Sequence, residues 1–127
     1  MLHVVESDKT LDRLAADLER AVERHKFGVL GVHDLNATMA RKGVDFEPPC
    51  RIYEVCNPHQ ARKVLAANLE ISTALPCRIS LYRAGGKSVL ATIRPTSLIA
   101  LFGTAALKEV AEEVEATLRR IMDEAAR

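Results

Sequence analysis

Residues 49–58 read Pro-Cys-Arg-Ile-Tyr-Glu-Val-Cys-Asn-Pro, and the other elements can be placed around this segment. From Cys50 to Cys56 it has the apolar, aromatic and β-branched residues of a strand, with proline on either side. Asn57 followed by Pro58 is a helix-start signal, because the Asn side chain accepts hydrogen bonds from the first turn and proline at the first helical position loses no bond. We therefore predict a central strand that ends on a cysteine and runs directly into a helix.

Strand and helix patterns alternate on both sides of this segment. Residues 2–6 and 27–33 are rich in β-forming residues, and each is followed by a helical pattern. Residues 76–94 indicate a β-hairpin, and an apolar stripe over residues 107–122 indicates a closing helix. The order βαβαβαββα predicts an α+β fold, a two-layer sandwich with helices packed on one mostly antiparallel or mixed sheet. Because no repeat or long linker divides them, residues 1–127 are expected to form a single domain.

The same patterns predict helix caps and one irregularity in a strand. Ser7 or Asp8 is positioned to cap the first helix, and Thr104 the last one. Gly28 and Gly31 lie inside the second strand, where they indicate close packing or a β-bulge and not a dinucleotide-binding loop.

The loop of the hairpin decides which side chains share a face. A two-residue loop, Gly85-Gly86, would place Ile79 opposite Thr92 and mix polar and apolar side chains on both faces. A three-residue loop that includes Ala84 separates them, and we predict that loop. One face then carries Cys77, Ile79, Leu81, Val89, Ala91 and Ile93 toward the core, and the other carries Arg78, Ser80, Tyr82, Leu90, Thr92 and Arg94.

Composition and charge argue against several kinds of partner. Hydrophobic residues make up 48% of the chain, charged residues 28%, and the formal net charge is +1, which leaves no basic surplus for nucleic acid. The longest apolar run, residues 98–107, is interrupted by Gly103-Thr104 and is shorter than the roughly 20 residues of a membrane span. The first residues lack the basic and long apolar segments of a signal peptide, so we expect a cytoplasmic protein.

The chain has three cysteines, an odd number that favours free thiols over a disulfide framework. Cys50 and Cys56 would lie about 20 Å apart in an extended strand, too far for one metal ion or one disulfide. Cys56 directly precedes a helix N-terminus, whose positive end lowers the pKa of a thiol. We therefore predict Cys56, with or without Cys77, as a reactive thiol and assign no metal site. The alternative is that the cysteines are small, buried apolar residues.

Two arginines at strand ends form the other candidate site. In the predicted register, Arg78 and Arg94 share the polar face of the hairpin, where their guanidinium groups could hold a carboxylate or phosphate. Thr96 and Asn57 complete the predicted ligand-binding residues. The alternative is an ordinary solvated face or a salt bridge with Glu54.

The segment from Leu98 to Phe102 is apolar but too short to be assigned as a helix from its pattern. An apolar run at the edge of the predicted elements is typical of a contact surface. We therefore expect a homodimer that uses this segment.

Four segments together resemble one family over nearly the whole chain. They are Phe27-Gly28-Val29-Leu30, Glu54-Val55-Cys56-Asn57-Pro58, Leu75-Pro76-Cys77-Arg78 and Ile93-Arg94-Pro95-Thr96. They are similar to the DUF302 family, a domain of unknown function. The resemblance implies a compact α+β fold and a homodimer, in bacterial and archaeal proteins without an established activity. Its characteristic positions match Cys56, Asn57, Pro58, Pro76, Cys77, Arg94, Pro95 and Thr96, and it supplies no catalytic residue.

Two functional hypotheses follow. In the first, a cytoplasmic homodimer binds a small anionic ligand or partner group at the face with Arg78 and Arg94. In the second, Cys56, with or without Cys77, is a redox-active or metal-binding thiol. Neither hypothesis identifies a cofactor, and both leave open whether the protein is an enzyme.

Overall fold

Five strands form one antiparallel sheet in the computed structural model, which describes residues 1–103 and 105–127. They are β1 (Leu2–Ser7), β2 (Gly28–Asp34), β3 (Cys50–Cys56), β4 (Cys77–Ala84) and β5 (Lys87–Ile93). Their order across the sheet is β1-β5-β4-β3-β2, so the first strand of the chain pairs with the last. β3 has the bounds predicted for it, and β2 contains a bulge between Val29 and Gly31, one of the two alternatives predicted for its glycines. The predicted α+β fold is confirmed.

The described residues include five α-helices. They are α1 (Leu11–Arg24), α2 (Leu35–Arg41), α3 (Pro58–Ala67), α4 (Pro95–Ile99) and α5 (Ala106–Ala126), with 3₁₀ helices at Leu69–Ala74 and Ala100–Phe102. Thr10, and neither Ser7 nor Asp8, caps α1, because the helix begins only at Leu11 and Thr10 Oγ1 accepts from the backbone N of Arg13. The predicted cap Thr104 lies outside the described residues. Within these residues, the helices are too short or too polar to cross a membrane.

Helices α1 and α5 cover one face of the sheet and bury the main core. Their apolar stripes meet side chains of β3, β4 and β5, and each Leu or Ile buried there contributes about 1.5–3 kcal/mol of transfer free energy. The larger members are Leu14, Leu18, Val22, Phe27, Tyr53, Val55, Ile79, Leu81, Leu90, Leu118, Ile121 and Met122. A smaller cluster of Val64, Ile71 and Leu107 joins α3, the first 3₁₀ helix and α5.

The hairpin of β4 and β5 has a different register from the predicted one. Its loop contains only Gly85 and Gly86, since Ala84 pairs with Lys87. The φ angles of these glycines are +58° and +77°, which suits a two-residue turn whose twist matches that of a hairpin. The predicted three-residue loop is therefore wrong, and the side chains of β5 lie on the opposite face from the one predicted.

This register places hydroxyl groups of β5 beneath the helices, where backbone carbonyls satisfy them. Thr92 Oγ1 donates to the carbonyl of Arg78 at 2.6 Å, and Ser88 Oγ donates to that of Lys9 at 2.7 Å. Leu90 lies between them and belongs to the main core, where Val89, Ala91 and Ile93 were predicted. Mixing polar and apolar side chains on one face is tolerated here because the buried hydroxyls keep hydrogen-bond partners.

The opposite face of the sheet exposes apolar side chains along β1 and β5. Leu2, Val4 and Ile93 lie there and are 58%, 49% and 45% exposed. The segment from Leu98 to Phe102, which was predicted as the contact surface, exposes fewer apolar side chains. Its Ile99 and Phe102 pack against the smaller cluster, whereas Leu101 is 79% exposed. The larger exposed apolar surface is therefore on the sheet.

Candidate functional site

The junction between β3 and α3 forms as predicted around Asn57. Its Oδ1 accepts hydrogen bonds from the backbone N of His59 at 2.9 Å and of Gln60 at 3.1 Å, so it caps α3. Its Nδ2 donates to the carbonyl of Lys26 at 3.1 Å, just before β2. Both ends of the amide are thus hydrogen-bonded to the backbone, and these bonds hold the start of α3 next to the residue that precedes β2.

An apolar pocket of about 60 Å³ opens beside this junction. It lies between the end of β3, the start of β4, and helices α3, α4 and α5. Its lining residues are Phe27, Val55, Cys56, Asn57, Gln60, Ala61, Val64, Ile71, Ala74, Leu75, Cys77, Pro95, Leu98, Ile99, Val110, Ala111 and Val114. The structure therefore brings Cys56 and Cys77, the predicted thiol residues, to the wall of one pocket.

The surroundings of these two thiols favour their neutral form. Burial raises the pKa of Cys56, and burial together with the nearby Cys56 raises the pKa of Cys77 to about 11. The predicted lowering of the Cys56 pKa is wrong in direction, because loss of hydration raises it. Cys50 lies at the other end of β3. In the described part of the chain, His, Cys, Asp and Glu residues form no group of three or more that could hold a metal ion.

Gln60 is a polar residue of the pocket wall that sequence analysis did not single out. Its Nε2 donates to Glu113 Oε2 on α5 at 3.3 Å. Its Oε1 is buried, and none of the described residues donates a hydrogen bond to it. The one available sequence signal was its position three residues after Asn57, which is typical of a capping box. That signal predicts a contact with the helix start, and the side chain instead reaches α5.

The two arginines predicted to share a face lie on opposite faces of the sheet. Arg78 is on the open face, the face of the sheet that α1 and α5 do not cover, and its Nε lies 3.8 Å from Glu54 Oε2. Glu54 Oε1 also contacts His33 Nε2 at 2.7 Å. Arg94 lies against α5 instead. The predicted shared polar face is therefore wrong, because the two-residue loop shifts β5 by one residue relative to β4.

Arg94 and Thr96 do come together, on the carboxylate of Glu115. Its Oε1 accepts from the backbone N of Thr96 at 3.2 Å and from the hydroxyl at 2.7 Å, and its Oε2 lies 3.4 Å from Arg94 Nε. Burial alone would raise the pKa of Glu115, but the bonds from Thr96 and the charge of Arg94 bring it below its usual value. A carboxylate of the protein itself thus occupies the place predicted for an anionic ligand. The adjacent groove also holds Lys108 and Glu112, so its charges are mixed.

The chain is similar to known proteins in both sequence and fold. The family model described as "Domain of unknown function DUF302" matches residues 3–125. A crystal structure of an uncharacterized conserved protein DUF302 from Bacillus stearothermophilus is similar over 99% of this chain and 98% of that one, with 32% identity and a TM-score of 0.93. Among curated proteins, none matches the chain. Because the family model spans nearly the whole sequence, the chain belongs to the DUF302 family.

Proposed function

We propose that the protein binds a small, uncharged and mostly apolar molecule in the pocket beside Cys56 and Cys77. The proposal is based on the pocket lining, because none of the described side chains that form it is ionised at neutral pH. Moving an ionised group from water into such a site costs far more free energy than moving an apolar group. The pocket therefore disfavours the anionic ligand expected at the arginines.

The volume limits the size of the ligand. Since a cavity needs about 10–15 Å³ to hold one water molecule, about 60 Å³ accommodates roughly four to six non-hydrogen atoms. With a ceiling of about −1.5 kcal/mol per non-hydrogen atom, such a ligand reaches at best a micromolar Kd. The proposed ligand is thus a short-chain organic molecule.

Xenon provides a direct test, because it enters dry apolar cavities without needing a polar partner. We expect xenon to shift the methyl NMR signals of Val64, Val110 and Val114, which line the pocket. Ala61→Leu fills the pocket and should remove these shifts. Ala66→Leu is the matched control, since Ala66 is exposed on the same helix. Native protein without xenon shifts at these methyl groups, or shifts that persist in Ala61→Leu, would contradict the proposal.

The position of both thiols in one pocket favours a second candidate function, which is binding of a soft metal ion. Thiolates select ions such as Cu(I), which tolerate few ligands and an apolar environment. Because both thiols are protonated at neutral pH, binding through both sulfurs should release two protons per ion.

Titration with Cu(I) under reducing conditions, followed by mass spectrometry and proton release, tests this candidate. Cys56→Ser and Cys77→Ser should each lose tight binding, whereas Cys50→Ser should keep it. If all three variants bind Cu(I) as tightly as the native protein does, the ion binds elsewhere and this candidate function is wrong.

A further inference from the structure

The orientation of the Gln60 amide is set from outside the pocket. Glu113 is exposed on α5, and its carboxylate can only accept hydrogen bonds, so it holds the amide NH₂ of Gln60 at the surface. If the amide were inverted, its carbonyl oxygen would face the carboxylate and its NH₂ would be buried. The orientation with Oε1 inward is therefore the favoured one.

The inward oxygen is an acceptor that the protein leaves unused. No group in the described ranges donates to Oε1, the thiols of Cys56 and Cys77 included. A buried acceptor without a partner is an unfavourable feature that proteins rarely keep. A single water molecule would not satisfy Oε1 well, because buried waters usually make about three hydrogen bonds. The rest of this lining offers few partners, since it is apolar apart from the thiols and the already bonded amide of Asn57.

We propose that Gln60 selects the ligand, and that the pocket takes a short aliphatic alcohol, whose hydroxyl donates to Gln60 Oε1 when a small shift of the Gln60 side chain opens this buried atom to the pocket. This inference rests on the proposed function, since it names the class of molecule bound in the same pocket. Other donors fit less well. Amines are protonated at neutral pH and would enter with a charge, and carboxylic acids are ionised and have no proton to donate. Alkanes and ketones leave Oε1 without a partner.

Butan-2-ol and butanone form a matched pair of probes for this selectivity. They share a carbon skeleton of suitable size, and only the alcohol can donate a hydrogen bond. NMR titration of the pocket methyl groups gives both Kd values. We expect the alcohol to bind about tenfold more tightly, which corresponds to about 1.4 kcal/mol.

Two variants test whether Gln60 causes this ratio. Gln60→Met keeps the length of the side chain without the acceptor, so the ratio should fall to about one while xenon still binds. Glu113→Gln removes the carboxylate that orients the amide, so Gln60 can turn its NH₂ inward and the ketone should gain affinity. Glu109→Gln removes an exposed charge one turn away on α5 and should leave the ratio unchanged.

The outcomes separate this inference from the proposed function. If xenon binds but the alcohol and the ketone have equal Kd values, or neither of them binds, the inference that Gln60 selects the ligand is wrong. The proposed apolar binding pocket would still stand. An unchanged ratio in Gln60→Met also overturns the selection by Gln60. Absence of xenon, alcohol and ketone binding in native protein ends both proposals.

Discussion

Asn57 links two parts of the chain through one side chain, and substitutions can separate its two contacts. Asp at this position keeps the oxygens that cap α3 but lacks the NH₂ that donates to Lys26. We expect Asn57→Ala to lower the free energy of unfolding by about 2 kcal/mol, because it loses the cap and the second bond. Asn57→Asp should cost less than about 1 kcal/mol, since a carboxylate at a helix N-terminus is favourable. Equilibrium urea unfolding measures both, and equal losses would assign the effect to the Lys26 contact.

Cys77 gives the protein a pH dependence on the alkaline side. Its pKa of about 11 in the folded protein lies above the usual thiol value of about 8.5 in an unfolded chain. The unfolded state therefore loses this proton first as pH rises, and stability falls between about pH 8.5 and 11. We expect Cys77→Ser to reduce the fall in Tm over this interval. Cys50→Ser is the control, and an unchanged fall in Cys77→Ser would show that other groups cause it.

At the scale of elements, α4 depends on α5 for its start. Arg94 occupies the N-cap position of α4 without a side-chain capping bond, and Glu115 of α5 accepts from Thr96 in its place. Pro95, Leu98 and Ile99 of this short helix line the pocket. The contact between Glu115 and Thr96 therefore connects the stability of α4 with the shape of the binding site.

Removing the Glu115 carboxylate should lower both the free energy of unfolding and the affinity of the pocket for xenon. We expect Glu115→Ala to cost about 2 kcal/mol, because Thr96 N and Arg94 lose a charged partner. Since the folded-state pKa of Glu115 is lowered, its contribution is present above about pH 4.3 and is lost as pH falls through the folded pKa. Urea unfolding at pH 7 and pH 3 and xenon titration check these effects. Glu112→Gln, an exposed change on the same helix, should leave them unchanged.

For the whole molecule, the open sheet face is the better candidate for self-association than the segment from Leu98 to Phe102. It carries exposed Leu2 and Val4 on β1, and farther across the sheet it presents charges of both signs, Arg78 on β4 and Glu54 on β3. A surface with both features can be complementary to a second copy across a two-fold axis. A net charge of +1 does not oppose that contact.

We therefore expect a homodimer that forms through this face. Sedimentation velocity at micromolar concentration should show a dimer for native protein and a monomer for Val4→Lys, since the new charge would be buried in the contact. Leu101→Ser should leave the dimer intact. The reverse pattern would return the interface to the segment after Pro95, and monomeric native protein would remove both versions.

Most of the elements were predictable because their signals are local. The start of α3 at Asn57-Pro58, the bounds of β3 and the bulge at Gly31 depend on residues close together in the chain. The apolar stripes of α1 and α5 likewise predicted that both helices cover a sheet. These features follow from backbone chemistry and helical or strand periodicity, so the sequence by itself was sufficient for the α+β fold.

The site was decided by tertiary structure, for two physical reasons. Strand side chains alternate faces, so one residue fewer in the loop at Gly85-Gly86 moved Arg94 beneath the helices, and hydrogen bonds from buried hydroxyls made that register acceptable. The pocket depends on contacts between distant segments, such as the bond that joins Gln60 to Glu113 across 53 positions. Sequence alone thus singled out Cys56 and Cys77, and the fold places both in the wall of one pocket. Desolvation in the folded protein reversed the predicted direction of the Cys56 pKa, and packing against α5 left Gln60 Oε1 without a hydrogen-bond donor among the described residues.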